Sequence, residues 1–231
     1  MMDIKTIIRA QSIDSFAAAI FATVPIFELV DGLKSRYNFR HTPTGAELIN
    51  PPPNQPNNFL WGKCNLNGLE ITIESLQIQN LPGLATTVSV TTRTRTDDSD
   101  AVLKDLAQWA TSAFSVRSAH VFPTQYVSQL EFELDRAISE QLKLLSPVCD
   151  LITKRVRSYG FTACPSYEPS AVYLFYDNSR LTSPPTLATN FIVDRRAGVP
   201  YAENIYYSQA PLKTKDHVAA LVELDRVLKE G

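Results

Sequence analysis

One apolar seam constrains the fold of this chain more than any other pattern in it. Its residues recur at alternating steps of four and three: Ile138, Leu142, Leu145, Cys149, Ile152, Val156 and Tyr159. Positions three and four apart share one side of an α-helix, so the spacing predicts a helical region with one apolar side. Ser146-Pro147 is typical of a helix start, and we expect a kink or two abutting helices there. Gly160 ends the pattern.

Strand patterns lie on both sides of this seam. Residues 69–74 alternate apolar and polar side chains after a turn at Asn67-Gly68, and a change of phase near Ser75 predicts a β-bulge. The remaining elements are predicted as a strand over 85–96, a helix from 97 to 114, strands over 125–134, 171–176, 187–194 and 203–209, and a last helix from Thr214. Residues 171–176 (AVYLFY) are apolar at every position, which favours a central strand covered on both faces.

This order of elements predicts an α+β fold with helices packed against a largely antiparallel sheet. We expect an N-terminal helical segment over 1–40, with helix mainly over 12–39, and a proline-rich linker over 41–58. The α+β domain is predicted over 59–231, with 59–160 and 161–231 as possible sub-parts. The linker contains a P-x-x-P spacing, but a spacer fits it better than a ligand for an SH3-like partner.

An uncharged run over 15–27 is too short to span a membrane, which needs about 20 residues. A signal-peptide core is the alternative that we weighed, and a buried helix is favoured because Asp14 and Pro25 do not suit a signal peptide. Three separated cysteines without C-x-x-C spacing suit a reducing compartment and give no zinc motif. We therefore expect a cytoplasmic protein without a membrane partner, a metal or a cofactor.

Glycine and charge set further limits on function. The 8 glycines form neither G-x-G nor Gly-Lys-Ser/Thr, so the dinucleotide and P-loop motifs are absent from the sequence. The formal charge of −2 comes from mixed charges along the chain, which makes nucleic acid an unfavoured partner.

The candidate binding residues are arginines and tyrosines, which combine charge, contact area and directed hydrogen bonds. We predict ligand-binding roles for Arg93, Arg95, Arg195, Arg196, Tyr201 and Tyr206. Each has an ordinary alternative. Arg93 and Arg95, with Ser89 and Thr91, also fit a solvated strand face. One of the adjacent Arg195 and Arg196 also fits an ion pair with Asp194 or Glu203, and the tyrosines fit packing within a sheet.

No catalytic set is predicted. Cys164 with His120 or His217 is the nucleophile pair that we considered, and Glu70 with Glu74 is the carboxylate pair. Surface carboxylates and an unassembled thiol explain these residues as well. The leading hypothesis is a non-enzymatic cytoplasmic binding or assembly protein that self-associates or binds another protein. The alternative is an enzyme or small-anion-binding protein with an arginine-lined site, and nucleic-acid binding is the weaker one.

Overall fold

The computed structural model describes residues 2–17, 24–45, 47, 56–81, 85–115, 120–160, 163, 166–175 and 190–230. The strands are β1 (Asp3–Ala17), β2 (Asn57–Leu66), β3 (Leu69–Leu81), β4 (Ala85–Thr92), β5 (His120–Glu133), β6 (Val172–Leu174), β7 (Phe191–Arg195) and β8 (Ile205–Ala210). The α-helices are α1 (Ile26–Tyr37), α2 (Thr96–Phe114), α3 (Ile138–Gln141), α4 (Ser146–Ser158) and α5 (Thr214–Glu230).

These elements confirm the predicted α+β class with a mostly antiparallel sheet. Among the described residues the sheet has eight strands in the order β2-β3-β4-β1-β5-β8-β7-β6. The bulge predicted near Ser75 is present, since the register of β3 against β4 shifts between Ile73 and Ser75. No helix in the described ranges is long and apolar enough to cross a bilayer.

The N-terminal unit comprises Ile7–Ser128 and Pro211–Lys215. In it, α1 and α2 bury their apolar sides in a core with the inward residues of β2, β3 and β4. The largest fully buried side chains of this core are Tyr37, Phe59, Leu33, Ile73, Leu76 and Val88. Gly62 is required by a close approach, because a Cβ atom there would lie 2.6 Å from the ring of Phe39 and 2.9 Å from the carbonyl oxygen of Tyr37.

The C-terminal unit comprises Met1–Thr6, Gln129–Ala210 and Asp216–Gly231. Its buried residues come from β5, β7, β8 and the helices: Leu130, Phe132, Leu134, Ile138, Val193, Tyr206, His217 and Leu221. In this unit β7 pairs with β8 and with β6, both antiparallel. The predicted seam is divided as expected, into α3, a 3-10 turn (Lys143–Leu145) and α4.

Two sequence predictions are corrected by the strands. Helix was predicted from residue 12, but residues up to Ala17 belong to β1, and the first helix of the described residues is Ile26–Tyr37. Pairing with β4 over Ala10–Ala17 outweighs the helical spacing of the local sequence. The predicted central strand at 171–176 is also wrong for this chain, because β6 is the last strand in the order and its side chains face solvent.

Half of the predicted proline-rich linker, residues 46 and 48–55, lies outside the described residues. In the part that is described, Thr44 and Glu47 are joined by hydrogen bonds at 2.7 and 2.8 Å. The linker and the N-terminal helical segment as a whole stay predictions.

Candidate functional site

The structure brings three of the six predicted binding residues into one cluster. The guanidinium group of Arg195, at the end of β7, lies 4.4 Å from the ring centroid of Tyr201 and 4.9 Å from that of Tyr206. Its Nη1 donates a 2.6 Å hydrogen bond to the carbonyl oxygen of Tyr201. We call these three residues the arginine cage. Two aromatic rings thus lie within cation–π distance of one guanidinium group.

Burial fixes one wall of the cage. Tyr206 is fully buried, and its hydroxyl oxygen accepts a 2.9 Å hydrogen bond from the backbone N–H of Ile138. Burial also raises the pKa of the Tyr206 phenol, so the ring stays neutral beside the cation. The Nε atom of Arg195 is buried and has no hydrogen-bond partner among the described residues. The cage therefore holds a cation with one unused donor.

Arg196 has a different environment from its neighbour. Its Nε lies 2.7 Å from a carboxylate oxygen of Glu131, and both side chains are partly exposed. An ion pair was one of the expected roles, but Glu131 on β5 is the partner in place of Asp194 or Glu203. Asp194 instead accepts hydrogen bonds of 2.7 Å from the hydroxyl of Tyr173 and from the backbone N–H of Arg195.

Arg93 and Arg95 lie in the N-terminal unit, in the turn after β4. The predicted solvated face of that strand is wrong, because Ser89 and Thr91 are buried and the strand ends at Thr92. Their burial fits the place of β4 between β3 and β1 in the sheet. The Arg95 side chain is exposed, and its backbone N–H bonds to the Asp98 carboxylate at 3.4 Å at the start of α2.

Sequence reasoning missed the residue against which Arg93 packs. Trp61 on β2 has a positive φ of 57° and no strand partner between the paired residues Leu60 and Gly62. The Arg93 guanidinium lies 5.9 Å from the Trp61 ring centroid and bonds to Glu74 at 2.7 Å. Only the bulge near Ser75 was visible in the sequence.

The nucleophile candidates do not form a catalytic pair in the described residues. Cys164 and the side chain of His120 lie outside them. Burial, followed by the charge of Asp105, raises the pKa of the Cys64 thiol to about 11, so this thiol stays protonated at neutral pH. Glu70 and Glu74 each have a cation partner, Lys63 at 3.0 Å and Arg93 at 2.7 Å, as expected of surface strand carboxylates.

His217 is fully buried beside Ser208, with 2.8 Å between Nε2 and Oγ. The Ser208 hydroxyl donates its hydrogen to the carbonyl oxygen of Ile192 at 2.7 Å. Since a hydroxyl has one hydrogen, His217 must donate its Nε2–H to Ser208. This direction is opposite to that of a general base. Burial lowers the pKa of His217 to about 4, and its Nδ1 has no hydrogen-bond partner in the described residues.

A polar groove of about 520 Å³ runs along α2 in the N-terminal unit. Its lining includes Asp97, Asp100, Lys104, Asp105 and Lys213. Two of these carboxylates are already paired: Asp100 with Lys213 at 3.0 Å, and Asp105 with Arg36 at 2.5 Å. Burial acts to raise the pKa of Asp105, but hydrogen bonds from Arg36 and Tyr37 outweigh it and leave the pKa below its usual value.

The described residues contain no group of three or more His, Cys, Asp or Glu side chains that could hold a metal ion. Within the same ranges, the groove carboxylates of Asp100 and Asp105 are each held by a cation and a tyrosine hydroxyl. The groove therefore offers fixed charges for a polar ligand rather than a set of open metal ligands.

Several exposed apolar residues of the C-terminal unit lie on α4 and the turn before it. Leu144 is 79% exposed and Leu151 is 56% exposed, and three further apolar residues of this surface face solvent: Leu145, Val148 and Ile152. We call these five residues the α4 stripe. In an ordinary surface helix the apolar side faces the core.

The opposite side of α4 packs on its own unit through a polar residue. Thr153 is 5% exposed, and its hydroxyl donates to the carbonyl oxygen of Cys149 at 2.8 Å. The Thr153 hydroxyl oxygen itself accepts a 2.8 Å hydrogen bond from the backbone N–H of Tyr167. The helix is therefore inverted, with a hydroxyl inward and leucines outward. Of all the seam residues, Ile138 alone is fully buried in the described structure.

No family model matches the sequence, and no curated protein is significantly similar to it. The function has to be argued from the α4 stripe, the arginine cage and the groove themselves.

Proposed function

We propose that this chain is a binding and assembly protein that self-associates through the α4 stripe. The inverted orientation of α4 is the observation that supports this function. Leaving these leucines exposed to water is unfavourable, by about 25 cal/mol of free energy for each Å² of apolar surface. A contiguous apolar surface on a folded protein is typical of a protein–protein interface.

The occupant of the stripe in this proposal is a second copy of the chain. The same unit also exposes the uncharged residues of β6, which complement a copy of themselves. The chain's formal charge of −2 sets little long-range repulsion between two copies. A binding role fits the hydrogen-bond direction at Ser208 and His217 better than hydrolytic catalysis does.

The proposal is tested by the mass of the protein in solution. Sedimentation velocity of the wild-type chain across the micromolar range should show a concentration-dependent dimer. Leu151→Asp should shift the protein to monomer, because an unpaired carboxylate would be buried in the interface. Val222→Asp on α5 is the matched control, since Val222 is similarly exposed but lies outside the stripe. Circular dichroism would establish that both variants are folded.

A wild-type chain that stays monomeric across this range would overturn the self-association. Equal effects of the two aspartate variants would also contradict it, because the loss would then be independent of the stripe.

A second candidate function, small-anion binding, is favoured by the arginine cage alone. The buried Nε of Arg195 lacks an acceptor in the described structure, and a carboxylate or phosphate oxygen would supply one. Thermal unfolding with added phosphate or acetate tests this function, because a ligand of the native state raises Tm. Wild type should shift and Arg195→Met should not, while an unchanged wild-type Tm at millimolar anion removes the candidate.

A further inference from the structure

The strand β6 presents an open edge in the C-terminal unit. It pairs antiparallel with β7 on one side, with Val172 opposite Val193 and Leu174 opposite Phe191. On its other side, no described strand supplies hydrogen-bond partners. An open edge presents a row of free N–H and C=O groups that a further strand can use.

The side chains of this edge are apolar and exposed on both faces. Leu174 is 58% exposed and Phe175 is 66% exposed. The rings of Tyr173 and Phe175 stack, with centroids 6.2 Å apart and planes at 8°. The Tyr173 hydroxyl donates to Asp194 at 2.7 Å, which holds this ring in place. Leu174 lies between them in sequence and points to the opposite face of the strand.

The sequence of this strand does not suit a permanent edge. Natural edge strands carry lysine, proline or an inward charge that prevents further pairing. Residues 171–176 contain none of these, and their apolar pattern is that of a strand covered on both faces. Among the described residues, β6 therefore has a strand neighbour on the β7 side only, and its other edge carries no feature that prevents further pairing.

We infer that β6 of a second copy supplies a strand at this edge, in antiparallel pairing about a twofold axis at Leu174. In this register Leu174 lies opposite Leu174 of the second copy. Tyr173 lies opposite Phe175 of the second copy, and the reverse pair forms on the other side of the axis. One face then holds four aromatic rings and the other holds two leucines, so the strand is complementary to itself.

This interface rests on the proposed self-association and gives it a geometry. The hydrogen bond from the Tyr167 N–H to the Thr153 hydroxyl ties the segment before β6 to the inward side of α4. Tyr167 is itself exposed. The contact at β6 thus fixes how the two copies are oriented in the dimer. The α4 stripe adds buried apolar area, because three paired residues alone bury too little for a stable interface.

The dimerisation of two lysine variants, measured by sedimentation, tests the proposed contact at β6. Leu174→Lys places a charge at the centre of the twofold contact, so the dissociation constant measured by sedimentation should rise at least tenfold. Leu69→Lys is the matched control, because Leu69 is also a largely exposed leucine at a strand end, in the N-terminal unit. It should dimerise as wild type does.

A cysteine pair tests the register. Residues directly opposite in an antiparallel pair have Cα atoms about 4.5–5.5 Å apart, within the range of a disulfide. Leu174→Cys should form a disulfide-linked dimer with oxidised glutathione as the electron acceptor. Tyr173→Cys should not, because in this register position 173 meets position 175, and its own copy lies more than about 7 Å away.

The outcomes separate this inference from the proposed function. A wild-type dimer that survives Leu174→Lys and is lost in Leu151→Asp would overturn the β6 contact and leave the α4 stripe. Equal cross-linking of the two cysteine variants would overturn the register. A monomeric wild-type chain would overturn both, and an edge that serves a different protein would give this same result.

Discussion

Thr96 and Thr214 exchange two hydrogen bonds at the starts of their helices. The backbone N–H of Thr96 donates to the Thr214 hydroxyl at 3.0 Å, and the Thr214 N–H donates to the Thr96 hydroxyl at 2.9 Å. Both residues are buried. The first turn of a helix has N–H groups without partners in the helix, and each threonine satisfies one of them for the other.

Thr214→Val should therefore destabilise the protein by about 1–3 kcal/mol, because the buried N–H of Thr96 loses its acceptor. Thr214→Ser keeps the hydroxyl and should cost less than about 1 kcal/mol, for the lost methyl group. Urea unfolding monitored by circular dichroism measures both. Equal losses in the two variants would show that packing, and not the hydrogen bond, is what Thr214 contributes.

His217 should make stability depend on pH. Burial lowers its pKa to about 4 from an ordinary value of 6.5, so the folded state takes up this proton less readily than the unfolded state. Stability is then fullest above pH 6.5 and falls as the pH drops from 6.5 toward 4. Between pH 7.5 and 5 the expected loss is about 2 kcal/mol.

His217→Gln removes this titration and keeps a side-chain donor for Ser208. The difference in unfolding free energy between pH 7.5 and 5 should be about 2 kcal/mol smaller in this variant than in wild type. Comparing the two proteins cancels the other groups that titrate in this range. The same pH dependence in both would show that His217 takes up its proton equally well in the folded and unfolded states.

Local chemistry predicted part of the fold. The bulge near Ser75, the turn at Asn67-Gly68 and the helix break at Ser146-Pro147 follow from residues within a few positions of each feature. Such features need no knowledge of distant strands. The three residues of the arginine cage were among the six predicted ligand-binding residues, and a ligand-binding role for them stays a prediction.

The features that the sequence did not predict depend on contacts between residues that are far apart in the sequence. Residues 12–17 form a strand because they pair with residues of β4 that lie 68 to 78 positions away. Arg196 pairs with Glu131, which is 65 positions away, rather than with the acidic residues near it in sequence. The left-handed conformation of Trp61 likewise depends on a bulge in a different strand, and its only sequence signal was the phase change in β3.

Because only Arg195 belongs to the arginine cage, we expect it and the adjacent Arg196 to contribute unequally to the stability of the protein. Arg195→Lys should destabilise the protein by about 1–2 kcal/mol, because lysine lacks the flat group that stacks between Tyr201 and Tyr206. Arg196→Lys should cost less than about 0.5 kcal/mol, since a partly exposed ion pair with Glu131 tolerates the exchange. Chemical unfolding of both variants measures these two losses of unfolding free energy. A smaller loss for Arg195→Lys than for Arg196→Lys would contradict the cage.

The mass in solution of one double variant distinguishes a single dimer interface from two separate interfaces. Two separate twofold contacts on one chain would link copies into assemblies larger than a dimer, either closed tetramers or open chains, and removing either contact would leave dimers held by the other. One interface containing both β6 and the α4 stripe gives a closed dimer, and removing either part weakens the same contact. The bond between Tyr167 and Thr153 favours the single interface.

We therefore expect wild type to stop at the mass of a dimer at high concentration, and Leu151→Asp and Leu174→Lys each to be monomeric at concentrations where wild type is dimeric. The double variant should add nothing that sedimentation detects. Wild-type species larger than a dimer, reduced to dimers by each single variant and to monomers by both together, would instead assign α4 and β6 to separate contacts. In that case the chain would assemble as a closed tetramer or an open chain of copies, because each copy would use two different twofold faces.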